Sequence, residues 1–374
     1  MKTIVFTGGG SGGHIFPGLA VVDELRSKSK INIVWIGSSK GIDRELVESH
    51  GTSFVGIPSG KLRRYFDIHN FIDIFHILAG FLKSIFILLK LKPALVFSKG
   101  GFVSVPPCLA ARILRIPVIT HECDFSPGLA TRINAGSASD IFVSYESTTN
   151  MFPEKFRNNV TVTGNPVRPT FYSADPKRGR DFLGCAGDDS SILFVQGGSL
   201  GARQINELVS QCIDELCTRY IVVHQTGQQN IDQIIHSINP LVRTRYKPYA
   251  FIKAEMPDVL AASSLVIARS GANTVWECAA AGKPMILIPL DKGSSRGDQI
   301  ENAQYFVSAG AAIMLTGDDA TPLRLAETVR RISENNSVLS DMTANSLALG
   351  TVNPAILIAT LLIEKIEKIP GGKI

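Results

Sequence analysis

The chain has 374 residues, 45% of them hydrophobic and 19% charged, with a formal net charge of +5. That is length for about two domains with a core in each, and it excludes a disordered, collagen-like or coiled-coil chain. Six cysteines (Cys108, Cys123, Cys185, Cys212, Cys217 and Cys278) show no C-x-x-C pair or zinc-type spacing, which predicts buried thiols in a reducing compartment and no metal site.

In chain order, short β-branched runs alternate with glycine-rich turns and helical patterns, the signature of parallel βα units. Strands are predicted at Thr3–Thr7, Asn32–Ile36, Ala94–Ser98, Val118–Thr120 and Asp140–Ser144 in the first half. In the second half they are predicted at Ser191–Gln196, Tyr220–His224, Ser264–Ala268 and Met285–Pro289. Most of these runs are apolar on both faces, as strands covered by helices on both sides must be. The opening run is too short for a signal-peptide core. Between Phe71 and Leu91 the apolar run is broken by Asp73, His76, Lys83 and Lys90, so no membrane span is expected, since one needs about 18 apolar residues in succession.

The two halves begin alike, Val5-Phe6-Thr7-Gly8-Gly9-Gly10-Ser11-Gly12-Gly13 against Phe194-Val195-Gln196-Gly197-Gly198-Ser199-Leu200-Gly201-Ala202. The expectation is an α/β chain of two Rossmann-like, doubly wound domains facing across a cleft, 1–164 and 165–349, with the change-over at Gly164-Asn165-Pro166-Val167-Arg168-Pro169. The last helical pattern, Pro354 to Ile366, could belong to either domain.

Gly8-x-Gly10-x-x-Gly13 after a strand matches the dinucleotide fingerprint, whose glycines let backbone N–H groups approach a phosphate at a helix start. The second strand, however, runs into Gly37-Ser38-Ser39-Lys40 without the carboxylate that a nicotinamide ribose requires. Close helix packing and a different phosphate ligand remain as readings. The loops Ser98-Lys99-Gly100-Gly101 and Gly197–Arg203 also follow strands, and open parallel sheets bind ligands at that edge. Within Arg269–Glu277, Glu277 falls early in a helix, suited either to the dipole or to a ribose diol. Gln299 and Asn302 share a helix face, as solvated surface or as partners for sugar hydroxyls.

From Lys61 to Lys92 there are six Lys/Arg against two Asp. Lys61, Arg63, Arg64 and Lys83 accompany Phe75, Leu78, Phe81, Leu82, Ile85 and Phe86, a pattern that suits an anionic membrane surface. The competing reading is a sheet-covering helix flanked by solvated lysines. Nucleic acid is not an expected partner, because the basic residues are interleaved with aliphatics rather than with a stacking platform.

Gly9-Gly10-Ser11-Gly12-Gly13-His14-Ile15-Phe16-Pro17-Gly18, Gly100-Gly101-Phe102, His121-Glu122, Gly164–Arg168, Gly197–Ala202 and Arg269-Ser270-Gly271-Ala272 resemble, in order and over essentially the whole chain, the MurG family of glycosyltransferase family 28. The resemblance implies a GT-B enzyme, peripheral on the cytoplasmic face of the bacterial inner membrane and without a cofactor. Such an enzyme moves N-acetylglucosamine from UDP-GlcNAc, with inversion, to the 4-hydroxyl of undecaprenyl-diphospho-MurNAc-pentapeptide (lipid I), giving lipid II. It further implies that Ile252 contacts uracil through its backbone and that Glu277 meets the ribose. Ser199 and Arg168 would meet the diphosphate, and Ala272, Asn273, Gln299 and Asn302 would surround the sugar. Ser11, Gly12, Gly13 and His14 belong to the loop facing the polyprenyl-diphosphate acceptor.

This sequence departs from some members at Ser11, Phe102, Asp124, Asn273 and Asp298; Asp124 gains a charge and becomes a rival to His14 as base. For His14 three readings stay open: general base, hydrogen-bond partner of a phosphate or loop, and structural helix-start residue. The competing functions are a non-catalytic UDP-GlcNAc-binding, membrane-recruiting subunit and a UDP-GlcNAc 2-epimerase-like isomerase.

Overall fold

The computed structural model describes residues 2–60, 69–198, 201–229, 231–291 and 297–369. It divides into two compact units, Met1–Arg168 with Asn353–Ile374, and Pro169–Val352. The division falls at Arg168 rather than at 164, so Arg168 belongs to the first unit.

The first unit is built on a seven-stranded, wholly parallel sheet. Its strands are β1 (Thr3–Thr7), β2 (Asn32–Ser38), β3 (Ser53–Ile57), β4 (Leu95–Ser98), β5 (Val118–Glu122), β6 (Asp140–Val143) and β7 (Val160–Val162), in the order β3-β2-β1-β4-β5-β6-β7. Strand β1 is the point where the order reverses, so a crevice opens at its C-terminal end beside β4, where Thr7 pairs with Ser98. Ile4, Val5 and Phe6 are all fully buried because helices cover both faces. Ile4 and Phe6 face Leu19 and Val22 of the helix Gly12–Lys28, while Val5 faces Leu88, Val103 and Cys108. Phe6 stacks on Trp35 at 5.7 Å and meets Phe97 edge-on at 5.2 Å.

The final helix, Pro354–Glu367, packs in this unit. Asn353 caps it by accepting from Ala355 N, and Pro354 occupies its first turn. Its residues Ile358, Leu362 and Ile366 join the face of Ile4 and Phe6. Lys365 pairs with Asp140 at 2.6 Å and Lys2 donates to the carbonyl of Ile366.

The second unit carries a six-stranded parallel sheet of β8 (Ile192–Gln196), β9 (Ile221–Gln225), β10 (Tyr246–Tyr249), β11 (Leu265–Ala268), β12 (Met285–Leu287) and β13 (Ala312–Met314), ordered β10-β9-β8-β11-β12-β13. Strand β8 takes the place that β1 has in the first unit, with its reversal point between β9 and β11. All six cysteines are buried and free.

The helix His69–Leu91 lies against β3 and the helix Val105–Ile113. Its stretch Asp73–Leu91 is long and apolar enough, by length and composition alone, to cross a membrane. The sequence criterion of an unbroken apolar run had excluded it, because four polar residues can share the length of a helix without interrupting its apolar faces. Gly80 lets it approach the carbonyl of Pro58, and Leu88 is its fully buried anchor, with Phe81 and Ile85 turned toward the same core. Phe81 and Ile85 therefore belong to the core-facing side rather than to an outward patch. Exposed instead are Ile74 and, from Phe75 on at spacings of three to four, Leu78, Leu82, Phe86 and Leu89 on the opposite side, with Lys83 and Lys90. Lys61, Arg63 and Arg64 lie outside the described residues.

Candidate functional site in two halves

In the first unit β1 ends at Thr7 and runs into Gly8, and Ser11 precedes the helix Gly12–Lys28 in extended backbone. Gly10 takes a left-handed conformation (φ +84°), and a Cβ on Gly9 would overlap the carboxylate of Asp43. That carboxylate is fully buried; it accepts from Gly10 N at 2.9 Å and from Ser38 N at 2.9 Å. Burial raises the Asp43 carboxyl above its ordinary value, opposed by those two backbone bonds and by the nearby His14. Asp43 thus clamps the glycine loop to the end of β2, a role that a lone acid five residues past the end of a strand does not announce in sequence.

His14 sits in the first turn of the helix. Its Nδ1 lies 3.1 Å from the carbonyl of Lys99, and a Cβ on Gly101 would come within 2.9 Å of its ring. Gly100 and Gly101 both have positive φ (+79° and +76°), so the second glycine loop is shaped to receive the imidazole. The ring of Phe102 packs on Gly10, an apolar contact that needs no phenol. Ser11 and Gly13 are exposed, with Gly12 and His14 half-buried.

Glu122, at the end of β5, is buried; it accepts from Cys123 N and Asp124 N through Oε1 and from Gly128 N through Oε2. One carboxylate therefore shapes the turn that carries the half-buried Asp124. Arg168 lies with its guanidinium 5.1 Å from the ring centroid of Phe16, one turn beyond the glycine loop. The structure thus gathers Ser11, Gly12, Gly13, His14 and Arg168 around one helix start, with Asp124 on the loop after β5.

In the second unit Gly197, Gly198 (φ +87°) and Gly201 (φ +76°) lead from β8 into the helix Arg203–Arg219. A Cβ on Gly201 would overlap the carbonyl of Thr226. Ser199, expected at the diphosphate, lies outside the described residues. Gln225, at the end of β9, donates to Gly198 O at 3.4 Å and accepts from Ile252 N at 2.9 Å. The N–H of Ile252 is thereby engaged by Gln225. Arg269 donates from one nitrogen to Gln204 Oε1 and to the carbonyls of Ile288 and Pro289, bracing the glycine-loop helix against the end of β12.

The helix Ala272–Ala280 begins at Gly271, with Asn273 half-buried in its first turn and Glu277 half-buried in its second; Ala272 is buried. Asn302 lies on the helix Asp298–Ser308. It is fully buried and donates to Ser270 O at 3.1 Å, while Ser270 Oγ donates to Gln299 O. Asn302 thereby ties its helix to the turn that precedes the helix Ala272–Ala280. Gln299 stays half-buried, its side-chain oxygen accepting from Leu290 N at 3.0 Å. A helical face predicts which residues lie together; it does not say whether that face meets ligand or protein.

Two parallel α/β sheets, each with a glycine loop and helix start at its reversal point, define the GT-B class of nucleotide-sugar enzymes. Residues 4–143 match the glycosyltransferase family 28 N-terminal domain and residues 192–356 its C-terminal domain. The chain belongs to glycosyltransferase family 28. It is 56% identical over 382 residues, 97% of both chains, to the UDP-N-acetylglucosamine–N-acetylmuramyl-(pentapeptide) pyrophosphoryl-undecaprenol N-acetylglucosamine transferase of Treponema denticola. To the protein so named in Bacillus cereus, transferase 2, it is 40% identical, covering 90% of this chain and 93% of that one. Among solved structures it is similar in fold to Acinetobacter baumannii MurG, with a TM-score of 0.75 at 24% identity over 97% of this chain and 100% of that one. A UDP-GlcNAc 2-epimerase from Neisseria meningitidis bound to UDP-GlcNAc shares the fold at a TM-score of 0.68 and 15% identity, over 97% of this chain and 100% of that one.

Proposed function

We propose that this protein is an inverting N-acetylglucosaminyltransferase that moves GlcNAc from UDP-GlcNAc to the 4-hydroxyl of undecaprenyl-diphospho-MurNAc-pentapeptide. The names of the relatives at 56% and 40% identity support the reaction. The observation that carries the division of labour is the difference between the two glycine loops. The first unit's loop bears a histidine whose Nδ1 is engaged by a carbonyl, and the second's does not.

Inversion in one step demands that the acceptor hydroxyl attack C1 as UDP departs from the opposite face. His14 would take the hydroxyl proton, a role suited to an imidazole near neutral pH; Asp124 is the rival. The departing diphosphate gathers charge, which the helix start at Arg203 and the glycine-loop amides would stabilise more in the transition state than before it. Arg168, Ser199 and the Ser11–Gly13 turn would meet phosphates, Ile252 uracil, Glu277 the ribose, and Ala272, Asn273, Gln299 and Asn302 the sugar. The exposed stripe Phe75–Phe86 with Lys83 supports a peripheral seat on an anionic bilayer, where a polyprenyl acceptor resides.

The test is incubation with radiolabelled UDP-GlcNAc and a short-chain lipid I analogue. Labelled disaccharide lipid is expected. UDP-ManNAc as product would establish the isomerase reading, and binding of UDP-GlcNAc without turnover the recruiting-subunit reading.

A further inference from the structure

Beneath the two glycine loops of the first unit lies a side chain for which the reaction as proposed has no use. Lys99 is 1% exposed, and lysine is almost never buried unless paired. Its Nζ lies 2.7 Å from His121 Nδ1 and 3.1 Å from Cys123 Sγ. His121 Nε2 lies 2.9 Å from the carbonyl of Gly164, which can only accept, so Nε2 carries the hydrogen and Nδ1 offers its lone pair to Lys99. Burial and the neighbouring ammonium hold His121 far below the usual imidazole range, in keeping with that neutral tautomer.

The same logic applies to the main chain of Lys99. Its carbonyl stands 3.1 Å from His14 Nδ1, and because a carbonyl only accepts, Nδ1 of His14 must carry the hydrogen. In the neutral ring the lone pair is then on Nε2. The residues after Lys99 are two glycines at positive φ, with no side chains to fix the peptide. That peptide is held on one side by Gly100 N donating to Ser98 Oγ at 3.2 Å and on the other by Lys99 itself: its N donates to Thr7 O at 2.8 Å, its ammonium is held as described, and its Cγ lies close under Gly18 of the helix that carries His14.

We propose that Lys99 is a positioning residue. Its buried ammonium, held by His121 and Cys123, fixes the carbonyl that keeps His14 as the Nδ1–H tautomer and so turns Nε2 toward the acceptor hydroxyl. The inference rests on the reading of His14 as the base, and a displacement of about 1 Å in such a group costs on the order of 100-fold in rate.

The experiment uses full-length protein labelled with 15N-histidine at mildly alkaline pH. Long-range proton–nitrogen correlations report each tautomer, and His14→Gln identifies the His14 signals. Wild type should show His14 as Nδ1–H. Lys99→Met, which keeps the stem and loses the ammonium, should show mixed tautomers, with kcat lower by about 10-fold to 100-fold and the KM for UDP-GlcNAc within about twofold. Should that variant fail to melt cooperatively, Cys123→Val removes one of the two anchors at similar volume, with tautomer mixing and a fall in kcat of about threefold or more expected. An Nε2–H tautomer in wild type overturns the proposal. So does a folded Lys99→Met enzyme with wild-type kcat and tautomer, or a Cys123→Val enzyme unchanged in both. Wild-type turnover by His14→Gln would instead remove the base reading, while the spectra still decide the Lys99 contact.

Discussion

Replacing Phe75 and Phe86 together by serine tests the membrane seat. The two rings are 72% and 71% exposed on the outward side of the helix His69–Leu91. A phenylalanine brings about 150–250 Å² of surface to burial, so each leaves roughly 120–150 Å² in water. At about 25 cal/mol per Å² that is worth about 3 kcal/mol per ring if wholly covered. An interfacial helix sinks only its lower face, so about half of this is realised, and the pair should lose about 3 kcal/mol, or roughly 100-fold in partition coefficient. Sedimentation with vesicles of anionic and of zwitterionic lipid measures it. Phe81→Ser is the contrast: that ring faces the core of the unit, so its loss should lower the melting temperature rather than weaken vesicle binding selectively. Binding of the double variant within about threefold of wild type would refute the reasoning, since the rings would then have no apolar partner to lose.

Glu277→Ala should raise the KM for UDP-GlcNAc by about 10-fold or more if the carboxylate holds the ribose, because a hydrogen bond to a charged group is worth about 1.5–3 kcal/mol; unchanged kinetics would exclude that contact. Asp43→Asn leaves one oxygen for two buried N–H donors, and the melting curve should report a loss of about 1–3 kcal/mol, with kcat falling as the His14 loop loosens. Gln225→Glu sets an oxygen against Gly198 O and a charge under the diphosphate loop, so calorimetry should find UDP bound about 10-fold or more weakly, with Gln225→Met separating the lost brace from the added charge. Burial pushes His224 down from 6.5 to about 3. A depressed pKa means that the neutral ring's contribution is complete above about 6.5 and is lost as pH falls toward the folded value, on the order of 5 kcal/mol. Urea unfolding of His224→Gln should accordingly show a flatter acid side, and an unchanged slope would count against it.

The strands that sequence made legible are those buried on both faces, such as Ile4-Val5-Phe6 and Leu193-Phe194-Val195. The four it missed are Ser53–Ile57, Val160–Val162, Tyr246–Tyr249 and Ala312–Met314, all edge strands. An edge strand pairs on one side only, tolerates Gly56 or Pro248, and can be three residues long, so neither composition nor period marks it. At the site the glycine loops and His14 were legible because special backbone and a titratable ring leave a pattern in sequence. Asp43 and Lys99 were not, since their partners are 33 and 22 residues away and only the fold brings them together. The spacing of Gln299 and Asn302 on one helix face was legible too, but not the bond from Asn302 to Ser270 O, whose partner is 32 residues away.

The two glycine loops have the same backbone plan and different supports, and the difference matches the charge each would meet in the proposed reaction. Buried carboxylates shape the loops of the first unit: Asp43 under Gly10, and Glu122 under Asp124. Negative charge there favours an imidazole that becomes cationic as it takes a proton. The loop of the second unit is braced by an amide, Gln225, and by the guanidinium of Arg269, with Asn206 donating to Thr226 O beneath Gly201. Neutral dipoles and a cation suit a diphosphate that grows more negative as the bond to the sugar breaks. A carboxylate in the place of Gln225 would oppose that charge at the moment it develops, whereas an amide in the place of Asp43 would leave a nascent imidazolium without its counter-charge. In the proposed reaction the duplicated strand, loop and helix would therefore carry opposite electrostatic tasks through residues that lie outside the repeated motif.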